Sequence, residues 1–344
     1  MTFTRLPRVN EKVAFLSRPD AYPHRPTSVS VKETHMSWVF LAGNLVYKLK
    51  KPVAYPFLDF TTLEARERNC REELRLNARL AESVYLDVVP LHADPGGGLS
   101  FEAVGPVADW LVRMRRLPAG RMLDVLIDAS SVDAADVRRA AEKLARFYAA
   151  CPALDVTAAW VMARFRSEHE EDLRLLSDAR FALEAGLTRH VLGMMATALD
   201  MVLPFIEART AARAYVEGHG DLRPEHVCLD AEPVFIDCLE FYRDLRILDP
   251  FDEISYLGLE CERLGAGWIG PVFLSSAKEK LGQCVPEPLL CFYRGARALL
   301  RARLALAHLT EPEPRTPEKW EPRARQYIRL AEQSLEQLVN PRIT

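Results

Sequence analysis

A change in hydrophobic pattern near residue 118 is the strongest constraint on the fold of this 344-residue chain. Before that position, short apolar runs predict strands, which are SVSVKE, SWVFLAG, NLVYKLKK, YLDVVPL, LSFEAV and WLVRMRRL. One long amphipathic helix is predicted among them, at residues 61–81. Later, helices predominate, at roughly residues 122–128, 133–150, 158–185, 188–214, 251–264, 272–282, 286–310 and 319–338. The pattern predicts an α+β fold with a small antiparallel sheet, one long helix and a larger helical part.

We expect three regions along the chain. Residues 1–26 are polar and interrupted by prolines, which is typical of an extension. Residues 27–117 are predicted to form the sheet lobe, with its helix, and residues 118–344 the helical lobe. Within the helical lobe, residues 219–241 are predicted to contain short strands.

Composition excludes several classes of protein. Lysine and arginine number 45 against 48 aspartates and glutamates, so nucleic acid is not expected as the main partner. No apolar run approaches the roughly 20 residues needed to cross a bilayer, and the first residues contain no apolar core of a signal peptide. The 7 cysteines are scattered without a C-x-x-C pair. We expect a cytoplasmic protein with reduced thiols and no membrane partner, while its oligomeric state stays open.

Two aspartates sixteen positions apart are the most informative chemical feature. Asp221 lies in the segment HGDLRPEH, and Asp237 lies in FIDCLEF, on either side of a predicted turn between apolar strands. A hairpin of this kind can bring two carboxylates to one end. One carboxylate can accept a proton from a hydroxyl and the other can hold a divalent cation. This division of labour is the one used in phosphoryl transfer.

These segments resemble a known family. HGDLRPEH resembles the H-x-D-x-x-x-x-N catalytic loop of aminoglycoside phosphotransferases and the wider kinase-like fold, and FIDCLEF resembles their metal-binding segment. Residues 249–252 resemble the D-P-x-x-D that follows it. Residues 33–53 and 57–80 resemble the N-lobe of a bacterial subgroup in which some members carry a second, P-loop half. The chain has no G-x-x-x-x-G-K-[ST], so we expect only the kinase-like half.

The resemblance implies a two-lobed protein-kinase-like fold and an ATP-dependent transfer of a γ-phosphoryl group to a hydroxyl of a small molecule. The implied partners are a nucleotide and a small-molecule acceptor that is not identified. Asp221 would be the catalytic base or hydroxyl-orienting group, and Asp237 would bind Mg²⁺. His219 would support the loop by hydrogen bonding, and Asp249 and Asp252 would be structural.

His226 departs from the family pattern, because it stands where the family usually has an asparagine metal ligand. Mg²⁺ prefers oxygen ligands, whereas imidazole suits softer metals. Three interpretations stay open. His226 is a metal ligand with a preference for Mn²⁺, it is a neighbour of the metal site without binding the ion, or the site is weakened and the protein binds nucleotide with little turnover.

A strand lysine paired with a helix glutamate is expected to position the phosphates. VYKL matches the strand pattern, so Lys48 is predicted, with Lys50 on the same face of the strand as the alternative. Glu73 is predicted as its partner, with the adjacent Glu72 as the alternative. A lysine row that protects an exposed strand edge would give the same pattern.

A glycine-rich phosphate loop is absent from the turn at residues 33–37. Backbone N–H groups with Ser37 or Thr34 would have to hold the phosphates instead. The segment that would hold adenine is predicted at residues 110–114, with Met114 as the candidate.

Two further expectations concern alternatives. The chain could be a non-catalytic, kinase-like nucleotide-binding or interaction protein, since the asparagine and the glycine-rich loop are missing. A metal-dependent phosphohydrolase is not favoured, because no D-x-H pair is present.

Three arginines, Arg294, Arg297 and Arg301, share one helical face. For this face a solvated surface is favoured over an anion-binding site.

Overall fold

The computed structural model describes residues 7–55, 58–94, 96, 98–103, 105–311 and 314–340. The chain divides into two compact units. The first comprises Met1–Arg121 with Val234–Leu245, and the second comprises Met122–Pro233 with Arg246–Thr344. The segment Val234–Leu245 therefore belongs to the N-terminal unit, whereas the sequence analysis assigned it to the helical lobe.

The N-terminal unit contains a six-stranded antiparallel sheet with the order β1-β2-β3-β8-β6-β7. The strands of this part of the chain are β1 Val29–Glu33, β2 Ser37–Ala42, β3 Leu45–Lys50, β4 Ala54–Tyr55, β5 Leu58–Asp59, β6 Tyr85–Ala93, β7 Leu99–Ser100 and β8 Val107–Arg115. The predicted strand segments thus join one sheet. Gly43, with φ of 62°, lies in the tight turn between β2 and β3.

Helix α2 (Leu63–Ala81) is the long helix that the sequence predicted. Thr62 caps its first turn by accepting a hydrogen bond from the Ala65 N–H at 3.1 Å. Its buried face carries apolar Leu76 and Leu80 but also the fully buried Glu73. A buried carboxylate requires a charged partner, so α2 is expected to contribute an ion pair through Glu73 as well as apolar packing.

Helix α1 (Val9–Leu16) lies within the region expected to be an extension. Lys12 anchors it, donating to Asp109 Oδ2 at 2.7 Å and to the Ala108 carbonyl at 2.8 Å. Leu16 packs into an aromatic cluster with Tyr22 and Tyr47. The prediction of an extension missed this helix because the partners of Lys12 lie 96 and 97 positions away.

The C-terminal unit is mainly helical. Its helices are α3 Leu123–Asp128, α4 Ala134–Ala150, α5 Ala158–Leu176, α6 Ala185–Met201, α7 Leu203–Ala211, α8 Pro250–Arg263, α9 Ile269–Leu281, α10 Glu287–Ala307 and α11 Trp320–Val339. Helix α5 ends earlier than predicted, where the Asp178 side chain accepts the Arg180 N–H in a local turn at 2.9 Å. The predicted helix at 188–214 is broken before Leu203, since Pro204 cannot donate within a continuous helix.

The strand-rich segment predicted at residues 219–241 contains little regular strand. The remaining strands are short, namely β9 Val216–Glu217, β10 Val227–Cys228, β11 Val234–Phe235 and β12 Ile247–Leu248. Strands β9 and β12 pair antiparallel. Between β9 and β10, residues Pro224–His226 form a 3₁₀ turn. The HGDLRPEH segment is therefore a loop held between short strands.

Three arginines on α10 face carboxylates on α8, not solvent. Arg297 donates to Asp252 at 2.8 and 2.6 Å, and Arg301 donates to Glu260 at 2.7 Å. The side chains of both arginines are 14% exposed. Arg294 likewise pairs with Glu262. The prediction of a solvated face was wrong, because α8 places an acid opposite each arginine.

Among the described residues, no single helix has both the length and the apolar character to cross a membrane. The bent pair Ala185–Met201 and Leu203–Ala211, with 47° between its helices, passes the test by length and composition only.

Candidate functional site

Lys48 and Lys50 both contact Glu73 in the N-terminal unit. The two lysines lie two positions apart on β3, so they share one face of the sheet. Lys48 Nζ lies 2.8 Å from Glu73 Oε1, and Lys50 Nζ lies 2.6 Å from Oε2. Glu72 points elsewhere and pairs with Arg75 at 2.7 Å. The geometry thus makes Glu73 the partner of β3, but with two lysines where one was expected.

Each lysine reaches a second carboxylate. Lys48 Nζ donates to Asp237 Oδ1 at 2.8 Å, and Lys50 Nζ donates to Glu240 Oε1 at 2.6 Å. We call these five residues the lysine–carboxylate cluster. It contains three carboxylates and two ammonium groups, so it carries one net negative charge when all are ionised.

The cluster is buried at one end and open at the other. The side chains of Glu73 and Lys50 are 0% and 1% exposed, whereas that of Asp237 is 46% exposed. A partly exposed carboxylate in a cluster with one net negative charge offers the oxygen ligands that a hard divalent cation prefers. Asp237 therefore fits the metal-binding role expected from the sequence.

Charge pairing outweighs burial in setting the pKa values of the cluster. Burial opposes the ionised form of Glu73, but Lys48 and Lys50 hold its pKa below the usual value. Burial also opposes the charged form of Lys48, yet Asp237, Glu73 and Glu240 raise its pKa well above the ordinary range. Glu73 and Lys48 therefore keep their charges at neutral pH.

The backbone at Asp237 has a left-handed conformation, with φ of 60°. Aspartate tolerates this region better than most residues. The Asp237 N–H donates to Tyr85 Oη at 3.1 Å, and the Cys238 N–H donates to Asn77 Oδ1 at 2.9 Å. Side chains of β6 and α2 therefore hold the turn that presents the Asp237 carboxylate.

Ser37 and Met114, predicted to contact the nucleotide, are both buried. Ser37 begins β2 opposite Lys50, and its N–H donates to Thr34 Oγ1 at 3.0 Å. Met114 lies on β8 opposite Tyr85. Both lie on strands of the same sheet as Lys48, and their roles toward a nucleotide stay predictions.

Asp221 in the C-terminal unit has its two shortest contacts at Oδ1, while Oδ2 lies 3.8 Å from His226 Nδ1. Arg223 Nε lies 2.9 Å from Asp221 Oδ1, and Tyr256 Oη donates to the same oxygen at 3.3 Å. Burial disfavours the carboxylate, but the Arg223 guanidinium lowers the pKa of Asp221 below its usual value. The side chain, 28% exposed, is therefore an ionised acceptor.

A buried glutamate of α8 holds the backbone before Asp221. Glu253 accepts the His219 N–H at 2.9 Å, the Gly220 N–H at 2.5 Å and the Tyr148 hydroxyl at 2.5 Å. Burial raises the pKa of Glu253. Glu253 and Tyr148 were not predicted from the sequence, since no local motif shows that an α8 side chain reaches this loop.

Gly218 and Gly220 make that contact possible. A Cβ at Gly218 would lie 2.7 Å from Glu253 Oε2, and Gly220 has φ of 90°. The His219 ring contributes a further bond, since its Nδ1 accepts the Asp221 N–H at 3.3 Å. The support expected from His219 is thus present as a hydrogen bond within the loop.

His226 is engaged through both ring nitrogens. Nδ1 lies 2.7 Å from the Asp221 carbonyl oxygen, and Nε2 lies 3.2 Å from Arg223 Nη2. Metal coordination by imidazole needs a nitrogen lone pair directed at the ion. In this geometry the residue fits a metal site poorly, in contrast to Asp237.

Comparison with solved structures identifies the fold. The chain is similar to a choline/ethanolamine kinase family protein from Mesorhizobium loti, with a TM-score of 0.57 and 15% identity, over 95% of this chain and 99% of that one. It is also similar to a choline kinase from Cryptosporidium parvum Iowa II, with a TM-score of 0.53 and 11% identity, over 97% of each chain. The protein has the kinase-like fold. The α+β, kinase-like architecture predicted from the sequence is therefore confirmed.

Sequence comparison adds relatives without an assigned activity. The chain is 33% identical over 290 residues to uncharacterized proteins of Mycobacterium tuberculosis and Mycobacterium bovis, which covers 83% of this chain. The chain spans 56% of the length of these curated relatives. No family model matches it.

Proposed function

We propose that the protein is an ATP-dependent phosphotransferase of the aminoglycoside phosphotransferase type, which transfers the γ-phosphoryl group to a hydroxyl of a small molecule. One observation carries the proposal. Lys48, Glu73 and Asp237 lie within hydrogen-bonding distance, although Lys48 is 25 and 189 positions from its partners. A strand lysine, a helix glutamate and a metal-binding aspartate are the parts that phosphoryl transfer in this fold requires.

The lysine–carboxylate cluster would bind the nucleotide. Lys48 would contact the α- and β-phosphates, and Glu73 would keep its ammonium group in place. Asp237 would hold the divalent cation, Mg²⁺ or Mn²⁺, which would supply positive charge to neutralise the phosphates. The net negative charge of the cluster attracts a divalent cation.

Asp221 would orient the acceptor. The acceptor hydroxyl gives its proton to the Asp221 carboxylate, and its oxygen bonds to the γ-phosphorus. The bond from the γ-phosphorus to the bridging oxygen breaks, and ADP leaves. The two structural neighbours are a choline/ethanolamine kinase family protein and a choline kinase, which supports a small alcohol as the class of acceptor.

Nucleotide binding tests the first part of this proposal. Thermal unfolding would be followed with ATP, GTP or ADP, each with Mg²⁺ or Mn²⁺. We expect a stabilisation of about 2.7 kcal/mol at a nucleotide concentration 100 times the Kd. The shift should require a metal and be lost in Asp237→Asn, but be kept in the exposed control Asp20→Asn. A wild-type protein that shows no shift with any pair contradicts the proposal.

Turnover tests the second part. ADP formation would be measured with a panel of small alcohols and amino alcohols, in the wild type and in Asp221→Asn. The variant should bind nucleotide normally and lose about 100-fold or more in rate, because the asparagine amide cannot take the proton from the alcohol hydroxyl.

A non-catalytic nucleotide-binding protein is the second candidate. The observation in its favour is the ion pair of Asp221 with Arg223, which lowers the basicity of the carboxylate. This function predicts the metal-dependent thermal shift without ADP formation, and equal behaviour of the wild type and Asp221→Asn.

A further inference from the structure

Arg223 is a cation in the HGDLRPEH loop that the proposed reaction has not used. Its side chain is 19% exposed and makes three polar contacts. Nε lies 2.9 Å from Asp221 Oδ1, Nη1 lies 2.6 Å from Glu225 Oε1, and Nη2 lies 3.2 Å from His226 Nε2. The guanidinium is therefore fixed on three sides by residues of its own loop.

The contacts of His226 determine where its ring carries the proton. The Asp221 carbonyl oxygen only accepts hydrogen bonds, so Nδ1 must donate to it. A guanidinium only donates, so Nε2 must offer its lone pair to Arg223. The ring is thus the Nδ1–H tautomer, and the lone pair that a metal would need points at a cation.

A metal at His226 would require Arg223 to leave. The guanidinium would have to give up its contacts with Asp221 and Glu225, both of which are carboxylates. Arginine keeps its charge under all physiological conditions, so it cannot be neutralised to make room. The direct-ligand interpretation of His226 therefore conflicts with the charges around it.

Asp221 is oriented by the same arrangement. Arg223 and Tyr256 both contact Oδ1. The Arg223 contact is an ion pair without a well-aligned hydrogen bond, since the Nε–H does not point directly at the oxygen. Two partners on one oxygen restrain the rotation of the carboxylate, whose second oxygen, Oδ2, lies 3.8 Å from His226 Nδ1.

We propose that Arg223 is a positioning residue that orients Asp221 and that, with His226, it stands in place of a metal ligand on this loop. Under this proposal Asp237 binds the divalent cation and His226 does not. The orienting role of Asp221 rests on the proposed function, whereas the Arg223–His226 contact does not.

Histidine side-chain ¹⁵N NMR on the nucleotide-free protein tests the contact. The His226 ring signals would be assigned from their loss in His226→Asn. We expect a proton on Nδ1 and an unprotonated Nε2, and a change in the Nε2 shift in Arg223→Met. An Nε2–H tautomer overturns the proposal, because that nitrogen could not accept from a guanidinium. This result is decisive even if the protein proves not to bind nucleotide.

Metal affinity tests the assignment of the ligand. Mn²⁺ binding would be measured by electron paramagnetic resonance in the presence of ADP. We expect the affinity of His226→Leu, which removes the ring without supplying a metal ligand, to stay within about twofold of the wild type, and that of Asp237→Asn to fall by about tenfold or more. A tenfold fall in His226→Leu would make His226 a ligand and overturn the proposal. A wild-type protein that does not bind Mn²⁺–ADP would instead refute the proposed function.

A split between kcat and KM tests the positioning role. The probe is ATP hydrolysis with water as the acceptor. Arg223→Met should lower kcat about 100-fold with little change in the KM for ATP, because a misplaced Asp221 affects only the transfer step. Arg223→Lys should recover part of kcat. The exposed control Arg146→Met should match the wild type. A fall in kcat that comes with a fall in thermal stability, and that Arg223→Lys does not rescue, would indicate a merely structural arginine.

Discussion

The lysine–carboxylate cluster joins residues up to 190 positions apart, whereas the HGDLRPEH loop makes many of its contacts within eight residues. In the cluster, ammonium groups meet carboxylates. In the loop, many hydrogen bonds run between side chains and backbone. The cluster should therefore be most sensitive to loss of a charge, and the loop most sensitive to added volume.

The largest effect should come from Glu73→Ala. This change removes the buried carboxylate that both lysines share and leaves Lys48 with only Asp237 and the buried Lys50 with only Glu240, which should cost about 3–5 kcal/mol of unfolding free energy. Chemical denaturation measures the loss. The adjacent Glu72→Ala is a matched control, because its partly exposed pair with Arg75 contributes about 0.2–1 kcal/mol. Equal losses in the two variants would remove the distinction between a buried cluster and a surface pair.

Gly218→Ala should give the next largest effect and break the loop without altering a charge. Its Cβ would meet Glu253 Oε2 at 2.7 Å and Leu248 Cδ1 at 2.8 Å. We expect a loss of about 1–3 kcal/mol, measured by denaturation. Gly193→Ala, on α6, meets nothing within 4 Å and should stabilise the protein by about 0.5–1 kcal/mol. A neutral Gly218→Ala would show that the loop is not tightly packed.

Tyr148→Phe should have a smaller effect, because it removes one of three donors to Glu253. The expected loss is about 1–2 kcal/mol of unfolding free energy. The exposed Tyr242→Phe should leave stability unchanged. If the two substitutions behave alike, the carboxylate is held by the backbone donors alone.

The smallest expected effect is a pH dependence that belongs to the cluster. The pKa of Glu73 is lowered in the folded state from its ordinary value of 4.5. Its ionised form therefore stabilises the fold above that pH, and this contribution is lost as pH falls through the lowered folded-state value. The stability difference between the wild type and Glu73→Gln should shrink on acidification. A constant difference from about pH 7 to pH 3 would show that the lysines do not favour the ionised form.

Elements with a strong local pattern were predicted well. Strands β2 and β3 and helix α2 are set by residues adjacent in the chain, so the sequence pattern located them. Helix α1 was missed because its anchor, Asp109, lies far along the chain. The α10 arginines were misread because the helical pattern shows which residues share a face, but not what covers it.

The sequence by itself determined that Lys48 and Lys50 share one face of a strand and that a turn separates Asp221 from Asp237. Both follow from short-range geometry, since strand period and turn conformation depend on neighbouring residues. Only the tertiary structure decided that both lysines meet Glu73 and that Glu253 holds the loop backbone. These contacts join distant segments, and burial makes each charge depend on the partner that the fold supplies.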